Sequence, residues 1–349
     1  MAEDNIILEV KNLTKYFPIT SGLVLQKKVA EVRAVDGVSF AIRRGETLGL
    51  VGESGCGKSI TARSILRIIP SPGRIDEGQI LFRTKLGSSD GKEHVIDLAQ
   101  IKEDSETLRQ IRGGQISMIF QEPMTSFSAY HTLGDQISEA AIVHQAVDKH
   151  DAHQLSIEML ERVGIPNAET RVKQYPHEFS GGMRQRAMIA MAMICNPSLL
   201  IADEPTTSLD VTIQAQILEL MRDLRKDFNS SVLFITHNLG VIAQIADEVC
   251  IMYMGKIVES GLVNDIFHNP KHPYTIDLLQ AIPKITGERK ERLTAIEGSV
   301  PSPFEIPDGC RFHPRCQHMI KGVCEKELPA ITHIDKHHQV SCHLYSQKQ

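Results

Sequence analysis

Thr47-Leu48-Gly49-Leu50-Val51-Gly52-Glu53-Ser54-Gly55-Cys56-Gly57-Lys58-Ser59-Ile60 is the stretch that decides the fold. Its first five residues read as a short buried strand. The pattern G-x-x-x-x-G-K-S follows, and then a helical pattern over residues 59–69 that Pro70 and Pro72 stop. Glycines let a backbone close around phosphate oxygens and turn its N–H groups inward. The helix start adds the positive end of a dipole. Lys58 brings a charge for terminal phosphate oxygens, and the Ser59 hydroxyl is a ligand for Mg2+. Gly52, Ser54, Gly55, Cys56, Gly57, Lys58, Ser59 and Ile60 are the candidate phosphate-binding set. A chance glycine-rich turn is the competing reading, and the strand before it and helix after it weigh against that.

Outward from this loop, short apolar runs alternate with helical patterns over residues 1–260, the signature of an α/β domain. Strands are expected at 35–42, 47–51, 116–120, 199–202 and 232–236, with a periodic helix at 212–228. Residues 130–180 read as mostly helical, with a break at Gly164-Ile165-Pro166. Residues 248–253 and 256–259 read as a closing hairpin. The run Leu199-Leu-Ile-Ala-Asp203-Glu204 places two carboxylates at the C-terminal end of a strand, where open parallel sheets bind ligands. Asp203 is the candidate Mg2+ partner, and Glu204 the candidate for polarising an attacking water. Solvated acids in a strand-end loop are the competing reading.

The chain has 349 residues, enough for two domains at roughly 100–200 residues each. Its 38 basic and 43 acidic residues leave a formal charge of −5, which argues against coating nucleic acid by charge. The longest clearly apolar run, residues 187–195, is far short of the ~20 residues that cross a bilayer. The opening MAEDNIILEV lacks the basic start of a secretory signal, so a cytosolic chain is expected and disulfides are not.

Further segments resemble one family. Phe179-Ser180-Gly181-Gly182-Met183-Arg184-Gln185 is similar to the LSGGQ signature of ATP-binding cassette (ABC) proteins. Gln121, after QISMIF, resembles the Q-loop glutamine; His237, after VLFIT, the switch histidine; Ser208-Leu209-Asp210, the D-loop. All occur in the family's order, and the resemblance covers about residues 5–265. It implies a phosphate-loop NTPase fold with a helical signature subdomain (about 125–180), and ATP sandwiched head to tail between two cassettes. Ser180, Gly181 and Gly182 would then cap a nucleotide bound to a partner, and Asp210 would lie at the seam. Gln121 would sense Mg2+ and water, and His237 would contact the γ-phosphate. Phe17 resembles the aromatic that stacks on adenine, with Tyr16 the competing candidate. Bland readings stand beside these: Ser180 or Asp210 as simple helix caps, Gln121 as a solvated polar residue, His237 as a structural histidine.

Soluble translation cassettes usually carry two cassettes per chain, and only one phosphate loop is present here. Chromosome and repair ATPases carry a long coiled coil between phosphate loop and acidic pair, and the stretch from Lys58 to Asp203 is too short for one. Gln121-Glu-Pro-Met-Thr-Ser, Tyr175-Pro-His-Glu-Phe-Ser-Gly-Gly-Met-Arg-Gln-Arg, Ala202-Asp-Glu-Pro-Thr-Thr-Ser-Leu-Asp-Val-Thr and His272-Pro-Tyr-Thr are similar to the peptide/nickel importer branch. That resemblance implies an ATPase peripheral to the cytoplasmic face of the inner membrane. Its partners would be two membrane permeases, a second ATPase subunit and an extracytoplasmic binding protein, with no nucleic acid. The cargo would be di- or oligopeptides, with nickel or oligosaccharides as alternatives. Asn238 stands where the family commonly has Asp.

The expected organisation is an ATPase domain at 5–262, a connector at 263–300 and a small Cys-rich extension at 301–349. The extension holds Cys310-x5-Cys316-x7-Cys324-x17-Cys342. Four thiolates suit zinc or an iron–sulfur cluster. Close C-x2–4-C pairs are missing, and the looser spacing, together with the resemblance, points to a [4Fe–4S] cluster with zinc as the alternative. Buried thiols without metal remain the bland reading. His313, His318 and His343 are near enough in sequence to be alternative ligands.

Overall fold

The computed structural model describes residues 5–21, 27–70, 73–88, 91–122, 126–207, 209–282 and 296–346. Ser208, residues 22–26, and residues 283–295 of the expected connector lie outside the described residues. In chain order the strands are β1 (Ile6–Ser21), β2 (Lys27–Arg43), β3 (Thr47–Val51), β4 (Glu77–Thr84), β5 (His94–Asp97) and β6 (Ile116–Ile119). They continue as β7 (Leu199–Asp203), β8 (Ser231–Thr236), β9 (Glu248–Tyr253), β10 (Lys256–Leu262), β11 (Ile331–His333) and β12 (Gln339–Ser341). The chain divides into two compact units, Met1–Leu8, Ala41–Thr47 and Leu81–Ile235 in the first, and Glu9–Phe40, Leu48–Ile80 and Thr236–Gln349 in the second.

In the first unit β7 is parallel to β6 on one side and to β8 on the other, with Leu199 opposite Ile116 and Ser231. Every residue of β7 and β8 is buried. Strands covered on both faces read as unbroken apolar runs, which is why both were legible. Helix Leu133–Gln145 starts on a capping box between Thr132 and Asp135, and helix Lys149–Arg162 on Asp148. A buried Ser138–Ser156 hydrogen bond of 2.9 Å ties the two together. Gly164, at φ +77°, supplies the expected break. Helix Val211–Phe228 buries Ile217, Leu218, Met221 and Leu224, one face at helical spacing.

In the second unit β3 is parallel to β9, β9 pairs antiparallel with β10, and the closing hairpin is present. β10 runs to Leu262, past the expected end, because its pairing with β9 continues to Leu262 opposite Glu248, and β12 pairs with it antiparallel at Glu259 and Ser260. β11 then adds to β12. The tail thus continues the sheet, which its cysteine spacing did not hint at. Helix Lys58–Ile65 ends sooner than the expected 59–69, because Arg67 takes a left-handed conformation, φ +55°. Within the expected connector, Val263–His268 and Pro273–Gln280 are helices. No described helix is long and apolar enough to cross a membrane.

Candidate functional site

The phosphate-loop motif leaves fully buried β3 and turns into helix Lys58–Ile65. Its glycines have separate reasons. A Cβ on Gly52 would lie 2.1 Å from the Met252 carbonyl oxygen, and one on Gly57 2.0 Å from that of Ala34. Gly55 has open space around it but sits at φ +80°. Lys58 is buried, and its ammonium donates to the Gly52 carbonyl at 2.8 Å and the Glu53 carbonyl at 3.1 Å. The loop therefore wraps a fixed positive charge, the requirement for gripping phosphate. Burial pushes the Cys56 thiol up, against the opposing charge of Lys58, so Cys56 acts as a small apolar residue of the loop. Ser54 and Gly55 are exposed on the loop, and Ser59 and Ile60 are half-buried in the first helical turn.

Glu53, which the motif leaves free, is held at both ends. Its N–H donates to the Tyr274 hydroxyl at 3.0 Å, and its carboxylate takes both guanidinium nitrogens of Arg315, at 2.8 and 3.2 Å. Tyr274 packs with Tyr253 and Phe312, ring centroids 4.7 and 5.4 Å away. No sequence signal marked Arg315, which stands between two cysteines of the tail.

In the first unit, β7 delivers Asp203 and Glu204, both buried. Glu204 adopts φ +49°, rare for a residue with a side chain, and strain of this kind gathers at functional sites. Its N–H bonds the Ile235 carbonyl at 2.9 Å. Its carboxylate accepts from the Gln121 amide at 3.2 Å and from the Thr207 hydroxyl at 2.9 Å. The structure thus brings Gln121 and Glu204 together; Thr207 was not anticipated, although it lies only three residues beyond Glu204.

Ser180 caps helix Gly181–Met193 by accepting from the Met183 N–H at 3.4 Å. Ser180 and Gly181 are exposed, and a Cβ at Gly181 would meet nothing within 4 Å. Gly182 faces Ile213, where a Cβ would come to 3.0 Å. Asp210 accepts from the Ile213 N–H at 2.9 Å and caps helix Val211–Phe228. In the second unit His237 is exposed beyond β8. Asn238 caps the next helix by accepting from the Gly240 N–H at 2.9 Å, a task Asp would perform equally.

The competing aromatics differ. The Tyr16 hydroxyl donates to Asp36 at 2.8 Å, and burial, with that carboxylate, pushes its pKa up to about 12. Phe17 is half-buried, with the Lys15 ammonium 4.4 Å from its ring centroid.

Cys310, Cys324 and Cys342 are buried and Cys316 is partly so. Burial pushes the Cys342 thiol up to about 12, and the charges of Cys310, Cys316 and Cys324 add to it. The four thiols are the soft donors that iron or zinc prefers. Among the described residues, however, no group of three or more His, Cys, Asp or Glu side chains is arranged to hold a metal ion. Two of the alternative ligands have other partners: a ring nitrogen of His313 lies 2.9 Å from the Cys310 carbonyl, and one of His343 lies 2.8 Å from that of Glu327.

Residues 35–207 match the family described as ABC transporter, and residues 258–324 match the family described as oligopeptide/dipeptide transporter, C-terminal region. The chain is 48% identical to the oligopeptide transport ATP-binding protein AppD of Bacillus subtilis, over 98% of each chain. It is 46% identical to the dipeptide transport ATP-binding protein DppD of the same organism, over 98% of this chain and 96% of that one. Among solved structures it is similar to a dimeric post-hydrolysis state of the ATP-binding cassette MJ0796 bound to ADP and Pi. The TM-score is 0.60 at 22% identity, over 73% of this chain and 98% of that chain. It is also similar to cbiO1 from Clostridium perfringens, with a TM-score of 0.58 at 23% identity, over 76% of this chain and 92% of that chain. At such identity these two likenesses speak to fold alone.

Proposed function

The chain belongs to the ABC transporter family, in its oligopeptide/dipeptide branch, and from that premise we propose that it hydrolyses ATP to drive import of di- or oligopeptides. The Lys58 loop holds the triphosphate, and Phe17 stacks on the base, since the Tyr16 hydroxyl is committed to Asp36. Mg2+ supplies neutralisation of developing charge on the γ-phosphoryl group. Ser59, Gln121 and Asp203 offer the hard oxygen ligands that suit it. Glu204 orients the attacking water and takes up its proton, and His237 contacts the γ-phosphate. Ser180, Gly181 and Gly182 serve a nucleotide held by a second ATPase subunit, with Asp210 at that seam.

The observation that carries this reading is Glu204: buried, in a left-handed backbone, with its carboxylate aimed by Gln121 and Thr207. Replacing Glu204 with Gln keeps the shape and removes the base. The expected result is a fall in hydrolysis of about 10²–10⁴-fold with ATP binding retained. Hydrolysis at the wild-type rate by that variant, assembled with its membrane partners, contradicts the assignment.

Membrane attachment comes through two permease subunits, on the cytoplasmic face, with an extracytoplasmic binding protein delivering cargo. The names of the relatives favour peptides over nickel or oligosaccharides. In this proposal residues 5–262 form the ATPase domain, 263–300 the connector and 301–349 the extension. A [4Fe–4S] cluster on the four thiols of the extension, with zinc as the alternative, rests on their soft donor chemistry alone, since no group of three or more such side chains among the described residues is arranged to hold a metal ion. Iron, sulfide and zinc assays on protein purified without oxygen test it, and absence of all three overturns it.

A further inference from the structure

The tail is wired to the phosphate loop at Glu53. Glu53 has three groups that can bond, and each is taken by a different element. Its N–H goes to Tyr274 in helix Pro273–Gln280, its carbonyl accepts the Lys58 ammonium, and its carboxylate accepts the Arg315 fork. Arg315 is itself immobilised. Its side chain is 4% exposed. Its Nε donates to the Glu297 carbonyl at 3.1 Å, and one terminal nitrogen also reaches the Tyr253 hydroxyl at 3.4 Å. The rings of Tyr253 and Phe312 lie 6.0 and 5.9 Å from the guanidinium carbon. A two-pronged arginine–carboxylate pair on a buried, fully bonded arginine fixes both direction and distance.

Two consequences follow for the loop. Glu53 supplies one of the two carbonyls that accept from the Lys58 ammonium, so the orientation of its backbone sets where the ammonium stands. Its carboxylate also puts a negative charge on a loop built for polyanions. Without a paired cation, that charge opposes a triphosphate at close range. We propose that Arg315 is a positioning residue for nucleotide binding: from the C-terminal extension it clamps Glu53, holds the phosphate loop in its phosphate-ready shape and offsets the one acidic side chain within it. The extension is then part of the nucleotide site and not only an appendage. This rests on the reading of the Lys58 loop as the ATP site.

The test is titration of ATP with Mg2+ into the purified full chain by calorimetry, paired with the hydrolysis rate of the assembled transporter at saturating ATP. Arg315→Met is expected to weaken ATP binding about tenfold, with the saturated rate changed less than twofold. Arg315→Lys keeps the charge without the fork and is expected to fall between. In the double variant Arg315→Met with Glu53→Gln, removing the unpaired carboxylate is expected to restore about half of the lost binding on a logarithmic scale. A tail that merely supports folding predicts no such rescue. If Arg315→Met melts early, the Arg315→Lys and Glu53→Gln single and double variants carry the same comparison. ATP affinity within twofold of wild type in the Arg315 variants, or losses that simply add in the double variant, overturns the proposal. Absence of ATP binding by the wild-type chain would instead overturn the reading of the loop.

Discussion

Two glycine-rich helix starts in this chain use the same local device and differ in everything around it. At Gly52–Lys58 the backbone is pressed against other chain segments, so tightly that side chains at Gly52 and Gly57 would collide with carbonyls of Met252 and Ala34. Its lysine is buried, and its one acidic residue is clamped from the tail. At Ser180-Gly181 the helix start is exposed, and a side chain at Gly181 would touch nothing. Both starts offer backbone N–H groups to an anion. The first is built like a site that keeps its ligand against its own chain. The second is built like a surface that a ligand reaches from outside, as expected if it completes the site of a partner subunit.

Stability separates the two most sharply. Gly57→Ala places a Cβ at φ +109° and 2.0 Å from a backbone oxygen. It is expected to cost roughly 3 kcal/mol, read as a lower thermal midpoint. Gly181→Ala adds a methyl in open space at a helix start and is expected to lie within about 0.5 kcal/mol of wild type. Equal midpoints for the two variants would break the comparison.

A smaller effect probes the braced region. His272 lies at the start of helix Pro273–Gln280, accepting from the Tyr274 N–H at 3.1 Å, and burial pulls its pKa down to about 3. Between the unfolded pKa near 6.5 and that value, the unfolded chain binds a proton that the folded chain does not. Stability therefore falls as pH drops through this window, by up to about 1.4 kcal/mol per pH unit from this group. His272→Asn keeps an N-cap acceptor and removes the titration. The decline of the melting midpoint between pH 6 and pH 4 should become shallower, and an unchanged slope would remove His272 as its cause.

How much of this was legible depended on range. β7 and β8 announce themselves as apolar runs because both faces are covered, and the phosphate-loop motif because its spacing is local. β4 was missed: its residues alternate between buried and solvated, with charges at Glu77 and Arg83, so no run stands out. β11 and β12 have three residues each, too short for any period to show. The capping task of Asn238 was not read from the sequence, although the helix it starts begins at the next residue. The Glu53–Arg315 pair was invisible for a different reason: its partners are 262 residues apart, and neither stands in a pattern that names the other. The four cysteines were legible as a cluster in sequence, while the ligand geometry that spacing suggested is not formed among the described residues.

The contrast between the two helix starts is tested most directly by ATP titration of the full chain carrying either Lys58→Ala or Gly181→Asp. Lys58→Ala should abolish binding, while Gly181→Asp should bind ATP within about twofold of wild type, because in the proposed head-to-tail arrangement its new charge would face a nucleotide held by another subunit. Loss of ATP binding in both variants would place both starts on one nucleotide within one chain and contradict the account.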